Sequence, residues 1–223
     1  MDTILDAFHW IIALLRDPGP FIEWAGYPGL ALIVFLETGA MIFFLPGDSL
    51  LIIAGISAAK GDLDLLALNA LLIPMAILGD ALSYTIGKRI GPMIFSRPKS
   101  RFFNPAHVQA AHEFYERHGG KAIIIARFMP LVRTFVPVVA GVAKMGYRKF
   151  AAFNVIGGAA WVASMTVTGY FLVPVVNGLV RQWAGYETFT VEKHIEKVII
   201  IVVFFSILPG LIEWLKARRR AAA

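Results

Sequence analysis

Long apolar runs, interrupted at only a few points by charge or proline, make up most of this chain. Three of them, Leu65 to Ile90, Phe150 to Val176 and Ile195 to Leu215, match the roughly 20 residues of helix that cross a bilayer core. Two others are built differently. Leu30 to Ala59 is too short for two full crossings at about 1.5 Å per residue, and Leu45-Pro46-Gly47-Asp48 breaks it near its centre. Ala122 to Ala143 is shorter still and holds Pro130 and Pro137, with Arg127 and Arg133 where a crossing helix would lie deepest in lipid. Both are expected to be re-entrant hairpins that enter and leave on one side, broken at Pro46, Gly47, Pro130 and Pro137.

An interfacial helix is expected before each hairpin. Asn104-Pro105 and Gly119-Gly120 supply an N-cap, an N1 proline and a C′ glycine in the expected order. Earlier in the chain, Leu5, Phe8, Ile12 and Leu15 form one stripe over Thr3 to Arg16, and Pro18-Gly19-Pro20 stops that helix. The order helix, hairpin, crossing thus occurs twice. Gly29 and Glu37 are spaced like Gly119 and Arg127, and a proline break and Ala-Gly follow in each half. Because one crossing separates the hairpins, they are expected to enter from opposite faces, the inverted-repeat plan of many secondary transporters. The expected fold is an all-α integral membrane protein with a single domain over residues 1–223. Repeat one spans about 3–90, repeat two about 104–176, and a C-terminal transmembrane helix about 195–215.

Composition agrees: 58% of residues are hydrophobic and 16% charged, against roughly 45–50% apolar in soluble domains. The net charge of +6 does not point to nucleic acid, because the basic residues gather beside apolar segments, at Lys88 to Lys121, Lys144 to Lys149 and Lys216 to Arg220. Under the positive-inside rule these loops are cytoplasmic, as is the C-terminus, while Lys60-Gly61-Asp62-Leu63-Asp64 lies outside. With Asp2 and Asp6 in place of a basic start, no cleavable signal peptide is expected. The absence of cysteine excludes disulfides, thiolate metal sites and thiol nucleophiles. The spacing of His107, His112 and His118 does not stack them on one helical face, so no metal site is expected there. No nucleophile elbow, Walker loop or zincin helix occurs, so neither an enzyme nor a cofactor is expected.

The candidate chemistry lies in the hairpins. Glu37 and Asp48 in the first, and Arg127 and Arg133 in the second, would each cost about 2.5–3.5 kcal/mol or more at the bilayer centre unless partnered or hydrated. Two guanidiniums suit a phosphate, since each donates a planar fork of hydrogen bonds and stays charged. Substrate binding is therefore assigned to Arg127, Arg133, Glu37 and Asp48, and proton coupling to Glu37, Asp48 and Asp80. The alternative is that acid and arginine pairs only pin the hairpins together. For Asp80, in Gly79-Asp80-Ala81-Leu82-Ser83-Tyr84, helix packing and a proton path are both open. Gly157-Gly158 and Gly169 read as close-approach positions, Trp161 and Tyr170 as packing, and Lys144, Arg148 and Lys149 as topology signals with headgroup contact open to them. The expected partners are protons and an anion such as a phosphate group; homo-oligomerisation is left open.

The stretches Phe35-Leu36-Glu37-Thr38-Gly39, Phe44-Leu45-Pro46-Gly47-Asp48-Ser49-Leu50, Gly79-Asp80, Tyr84-Thr85-Ile86-Gly87, Ala126-Arg127-Phe128, Val132-Arg133-Thr134-Phe135 and Asn154-Val155-Ile156-Gly157 together resemble the bacterial DedA family. The likeness runs from about residue 29 to 213. It implies an inner-membrane transporter that depends on proton motive force, with relatives linked to recycling undecaprenyl phosphate or flipping phospholipids. It places the family's acidic pair on Glu37 and Asp48 and its arginine pair on Arg127 and Arg133. Some relatives have been connected with small oxyanion uptake, so a proton-coupled carrier of a small anion is the alternative.

Overall fold

The computed structural model describes residues 19–40, 42, 47–95 and 120–184. The helices expected at Thr3 to Arg16 and from Asn104, the crossing Ile195 to Leu215, and Pro46 lie outside these residues. Every regular element described is helical: α1 (Gly19–Gly39), α2 (Gly47–Lys60), α3 (Leu65–Phe95), α4 (Lys121–Ala126), α5 (Pro130–Val142) and α6 (Tyr147–Ala184).

Local chemistry sets the ends and breaks. α1 bends at Gly26, whose φ of 51° and ψ of −146° form a combination that a side chain resists; regular helix resumes at Tyr27, just before the apolar run that starts at Leu30. The side chain of Asp64 caps α3 by accepting from the Ala67 N–H at 2.7 Å, and the Asp64 N–H donates to the Tyr27 hydroxyl at 2.8 Å. Between α4 and α5 the amides of Arg127, Phe128 and Met129 bond three residues back, to Ile124, Ile125 and Ala126. Met129 is then extended, with φ −113° and ψ 102°, as a residue before proline tends to be. The second break is therefore at residues 127–129, with Pro130 opening α5. Pro137, expected as a further break, lies inside α5 instead. Its cost is one missing amide donor toward the Arg133 carbonyl, which a helix amid other helices tolerates.

Two stretches are long and apolar enough to cross a membrane, Leu65–Arg89 with 25 residues and Tyr147–Gly178 with 32, or about 37 and 48 Å of helix at 1.5 Å per residue. They coincide with the first two crossings expected. Their side chains are arranged the reverse of a water-soluble helix. Asp80, Ser83, Asn154 and Thr166 are buried, whereas Leu78, Leu82, Ile156, Phe171 and Val175 are exposed. On α5, Arg133 and Thr134 are likewise inside while Val132 and Phe135 face out. Polar groups turn inward and apolar ones outward when the surrounding solvent is lipid.

The chain divides into two compact units. Unit 1 takes 19–33, 47–72 and 162–184 of the described residues, and unit 2 takes 34–40, 42, 73–95 and 120–161. In unit 1, α2 crosses α6 so closely that a Cβ on Gly55 would collide with the Thr166 carbonyl oxygen, and one on Gly169 with that of Ile52. The Asn69 and Thr166 side chains hydrogen-bond at 3.0 Å in the same unit. In unit 2, α5 crosses α3 in the same manner: a Cβ on Gly141 would meet the Tyr84 carbonyl oxygen, and one on Gly87 that of Val138. The two arms α4 and α5 also pack on each other. A core of Tyr84, Ile123, Ala140, Ala143 and Phe150 closes one end of unit 2.

Candidate functional site: two buried arginine pairs in unit 2

Among the described residues, four charged side chains are buried in unit 2: Glu37 on α1, Asp80 on α3, Arg127 at the break after α4 and Arg133 in the first turns of α5. Each arginine has its own acid. Arg133 Nη2 donates to Glu37 Oε1, and Arg127 Nη2 pairs with Asp80 Oδ2. The pairs balance to zero net charge, the condition under which ionised groups are tolerated at membrane depth. Asp48, in unit 1, is half-buried in the first turn of α2 and suits the positive end of that helix. The acid that shares a unit with both arginines and Glu37 is Asp80.

The supporting side chains are set by α3 and α6. On α3, Gly79 presses against the end of α1, where a Cβ would collide with Thr38 Oγ1. Ser83 Oγ lies 2.7 Å from the Thr38 carbonyl oxygen and 2.9 Å from that of Gly39, engaging carbonyls that the end of α1 leaves open. Tyr84 donates its hydroxyl proton to the Met145 carbonyl. The stretch Gly79 to Tyr84 thus fixes the height of Glu37 as well as supplying Asp80.

On α6 the residues 154, 157, 158 and 161 fall at i, i+3, i+4 and i+7, one face of the helix. All four meet an arginine. Asn154 Oδ1 accepts from Arg127 Nη2, while its Nδ2 donates to the Ile77 carbonyl at 3.0 Å, which fixes the amide's orientation. Gly157 and Gly158 form the seat for the Arg127 side chain: a Cβ on Gly157 would stand 3.0 Å from Arg127 Cδ, and one on Gly158 3.6 Å from its Cζ. Trp161, fully buried, lies under Arg133, with Cζ 4.3 Å from the ring centroid. A cation over an indole face is stabilised without using any in-plane donor. Arg127 Nε is buried and has no hydrogen-bond partner among the described residues.

Sequence reasoning missed the roles of Asn154, Ser83 and Trp161. The signal was present in Asn154-x-x-Gly157-Gly158-x-x-Trp161, a polar, small, small, aromatic face in an otherwise apolar helix. Among the described residues no His, Cys, Asp and Glu cluster suited to a metal occurs. Asp48 and Gly47 lie in the first turn of α2, and Pro137 lies inside α5.

Among the described residues, helices throughout, two of them of membrane length, with apolar faces outward and paired charges inward, mark a membrane protein with a buried polar centre. The comparisons with known proteins make that class specific. Residues 45–171 match the VTT domain. The chain is 44% identical to Protein DedA of Escherichia coli (strain K12) over 227 aligned positions, covering 100% of this chain and 95% of that protein. It is 40% identical to an uncharacterized membrane protein of Mycobacterium tuberculosis (strain ATCC 25618 / H37Rv), covering 99% and 92%. It is 38% identical over 147 positions to the Inner membrane protein YqjA of Escherichia coli (strain K12), covering 64% and 66%. No solved structure matches. The chain belongs to the DedA family of VTT-domain membrane proteins.

Proposed function

We propose that this protein is a transporter of the inner membrane that translocates a phosphate-bearing lipid, undecaprenyl phosphate or a phospholipid, in a cycle coupled to proton motive force. The observation that carries the reading is the pair of buried arginine–carboxylate contacts, Arg133 with Glu37 and Arg127 with Asp80, beside the break between α4 and α5. A site of zero net charge cannot accept a phosphate anion in low dielectric without a compensating cation. Protonating a displaced carboxylate supplies it: phosphate oxygens take the arginine donors, Glu37 or Asp80 loses its partner, and the acid then favours its neutral form. The open Arg127 Nε adds a donor that already lacks an acceptor among the described residues.

Architecture supports the same reading. The matched crossings, Gly55 with Gly169 and Gly87 with Gly141, fit an internal duplication in which the second arm of each hairpin packs on the crossing helix of the other repeat. Alternating access in such folds comes from rocking one repeat against the other. Exposed Lys88, Arg89, Lys121, Lys144, Arg148 and Lys149 support a cytoplasmic side for the loops that carry them, in keeping with a cytoplasmic C-terminus. Asp48 is kept in the coupling path as an acid of the first hairpin.

The test is reconstitution. Labelled undecaprenyl phosphate and labelled phospholipid are each followed across proteoliposomes with and without a pH gradient, comparing the unmodified protein with Arg127→Ala and Arg133→Ala. Gradient-sensitive lipid movement that both variants lose is the expected result. No lipid movement by a folded protein, together with gradient-driven uptake of soluble phosphate, would replace the lipid reading by small-anion transport.

A further inference from the structure

Helices α2 and α5 end in the same backbone motif but close it with different residues. At the end of α2 the Gly61 N–H bonds the Ala58 carbonyl at 3.2 Å and the Asp62 N–H reaches Ser57 at 3.0 Å. At the end of α5 the Lys144 N–H bonds Gly141 and the Met145 N–H reaches Ala140, both at 3.0 Å. Each is a Schellman closure, which needs a residue with positive φ at its turn. In α2 that residue is Gly61, with φ of 90°, and in α5 it is Lys144, with φ of 56°. Lys144 is the one non-glycine among the described residues with positive φ. A side chain there is strained where glycine is not.

Favourable interaction of a cation with the helix end does not require this placement, because Lys60 serves α2 from a right-handed position in its last turn. Nor does the positive-inside rule, which acts on any loop position and is already served by Arg148 and Lys149. The neighbours of Lys144 suggest what its charge is for. The close approach of Gly141 to the Lys88 amide puts the charged end of Leu65–Arg89 beside this turn. Packing of Ile123 with Phe150, and of Gly120 against Phe153, brings Lys121 to the same end. Lys88, Arg89, Lys121, Lys144, Arg148 and Lys149 are all exposed, and the acids described in unit 2, Glu37 and Asp80, are both buried. Among the described residues of unit 2 the surface is therefore basic, with no exposed acid. It lies where two membrane-length helices end or begin, with the exposed Tyr147 ring beside it, at the depth of lipid headgroups.

We propose that Lys144 and its basic neighbours form a docking surface for anionic phospholipid headgroups of the adjoining leaflet, with Lys144 held in the left-handed conformation to present its ammonium to a lipid phosphate. The surface is separate from the buried arginine pairs and does not depend on what they transport. The experiment is thermal unfolding of the full chain in nanodiscs of phosphatidylcholine alone and of phosphatidylcholine with phosphatidylglycerol, at low and high salt. The unmodified protein is expected to melt higher with phosphatidylglycerol, and high salt removes most of the rise. Lys144→Gly relieves the strained turn and is expected to raise the melting temperature in phosphatidylcholine by about 2–4 °C, yet to lose at least half of the phosphatidylglycerol increment. Lys144→Arg keeps the increment, and Arg148→Gln with Lys149→Gln reduces it with no change in the phosphatidylcholine value. An unmodified protein indifferent to phosphatidylglycerol, or a Lys144→Gly variant that keeps the full increment, would overturn the proposal. An increment matched by inorganic phosphate would assign the surface to a soluble anion instead.

Discussion

Arg127 and Arg133 differ in how they are held, and their variants should differ accordingly. Arg127 meets Asp80 and Asn154 through the same Nη2, at the far end of the guanidinium, and the ammonium of a lysine, one bond nearer the backbone, falls short of that point. Arg127→Lys is expected to fold but to translocate at least roughly tenfold more slowly, the equivalent of about 1.4 kcal/mol from one lost charged hydrogen bond. Asn154→Ala should act in the same direction and leave the abundance of folded protein nearly unchanged. Removing one member of a pair is more severe: Asp80→Ala strands a buried guanidinium and is expected to cost about 3–5 kcal/mol in stability, read from detergent melting curves. The Glu37 and Arg133 pair separates a pinning role from a binding role. Exchanging them, Glu37→Arg with Arg133→Glu, keeps the ion pair but moves the guanidinium off Trp161. A folded, inactive double variant is expected; restored transport would mean that the pair only fastens two helices. The sequence made the cost of Glu37, Asp48, Arg127 and Arg133 visible, but not which acid meets which arginine. Asp80 read as a helix-packing residue or part of a proton path, and its contact with Arg127 appears only with the path of α3, because pairing across a membrane fold leaves no mark in local spacing.

At the level of elements, the helices that cross were legible because length and hydropathy alone define them. The second break was half legible. Pro130 constrains the residue before it and so opens α5, whereas Pro137 carries the same sequence signal and is absorbed as one missing amide donor. Whether a proline breaks a helix depends on what packs around it, and no single sequence displays that. The face Asn154, Gly157, Gly158, Trp161 was readable by periodicity, yet its glycines looked like helix-packing positions. They do permit close approach, but to a side chain. Gly157→Ala forces Arg127 to yield only a few tenths of an ångström and should slow transport without unfolding the protein, while Gly157→Leu should displace the guanidinium altogether. The backbone crossings are less forgiving. Gly141→Val sets a branched side chain against the Tyr84 carbonyl and is expected to destabilise by at least roughly 1–3 kcal/mol, seen as a lowered melting temperature.

For the molecule as a whole, lipid is the solvent that makes the arrangement of the described side chains consistent: apolar residues outward, neutralised charges inward, and, among the described residues of unit 2, no excess charge except at its basic end. That consistency also makes proton coupling the central claim, because an anion can enter a neutral buried site only if a carboxylate gives up its charge. The most direct measurement is simultaneous recording of lipid translocation and proton movement in proteoliposomes with an internal pH indicator. Phosphate-lipid movement accompanied by proton flux in the unmodified protein, with the flux lost in Glu37→Gln and Asp80→Asn, is the predicted result. Lipid translocation at full rate in both variants, with no proton movement in any of the proteins, would contradict it.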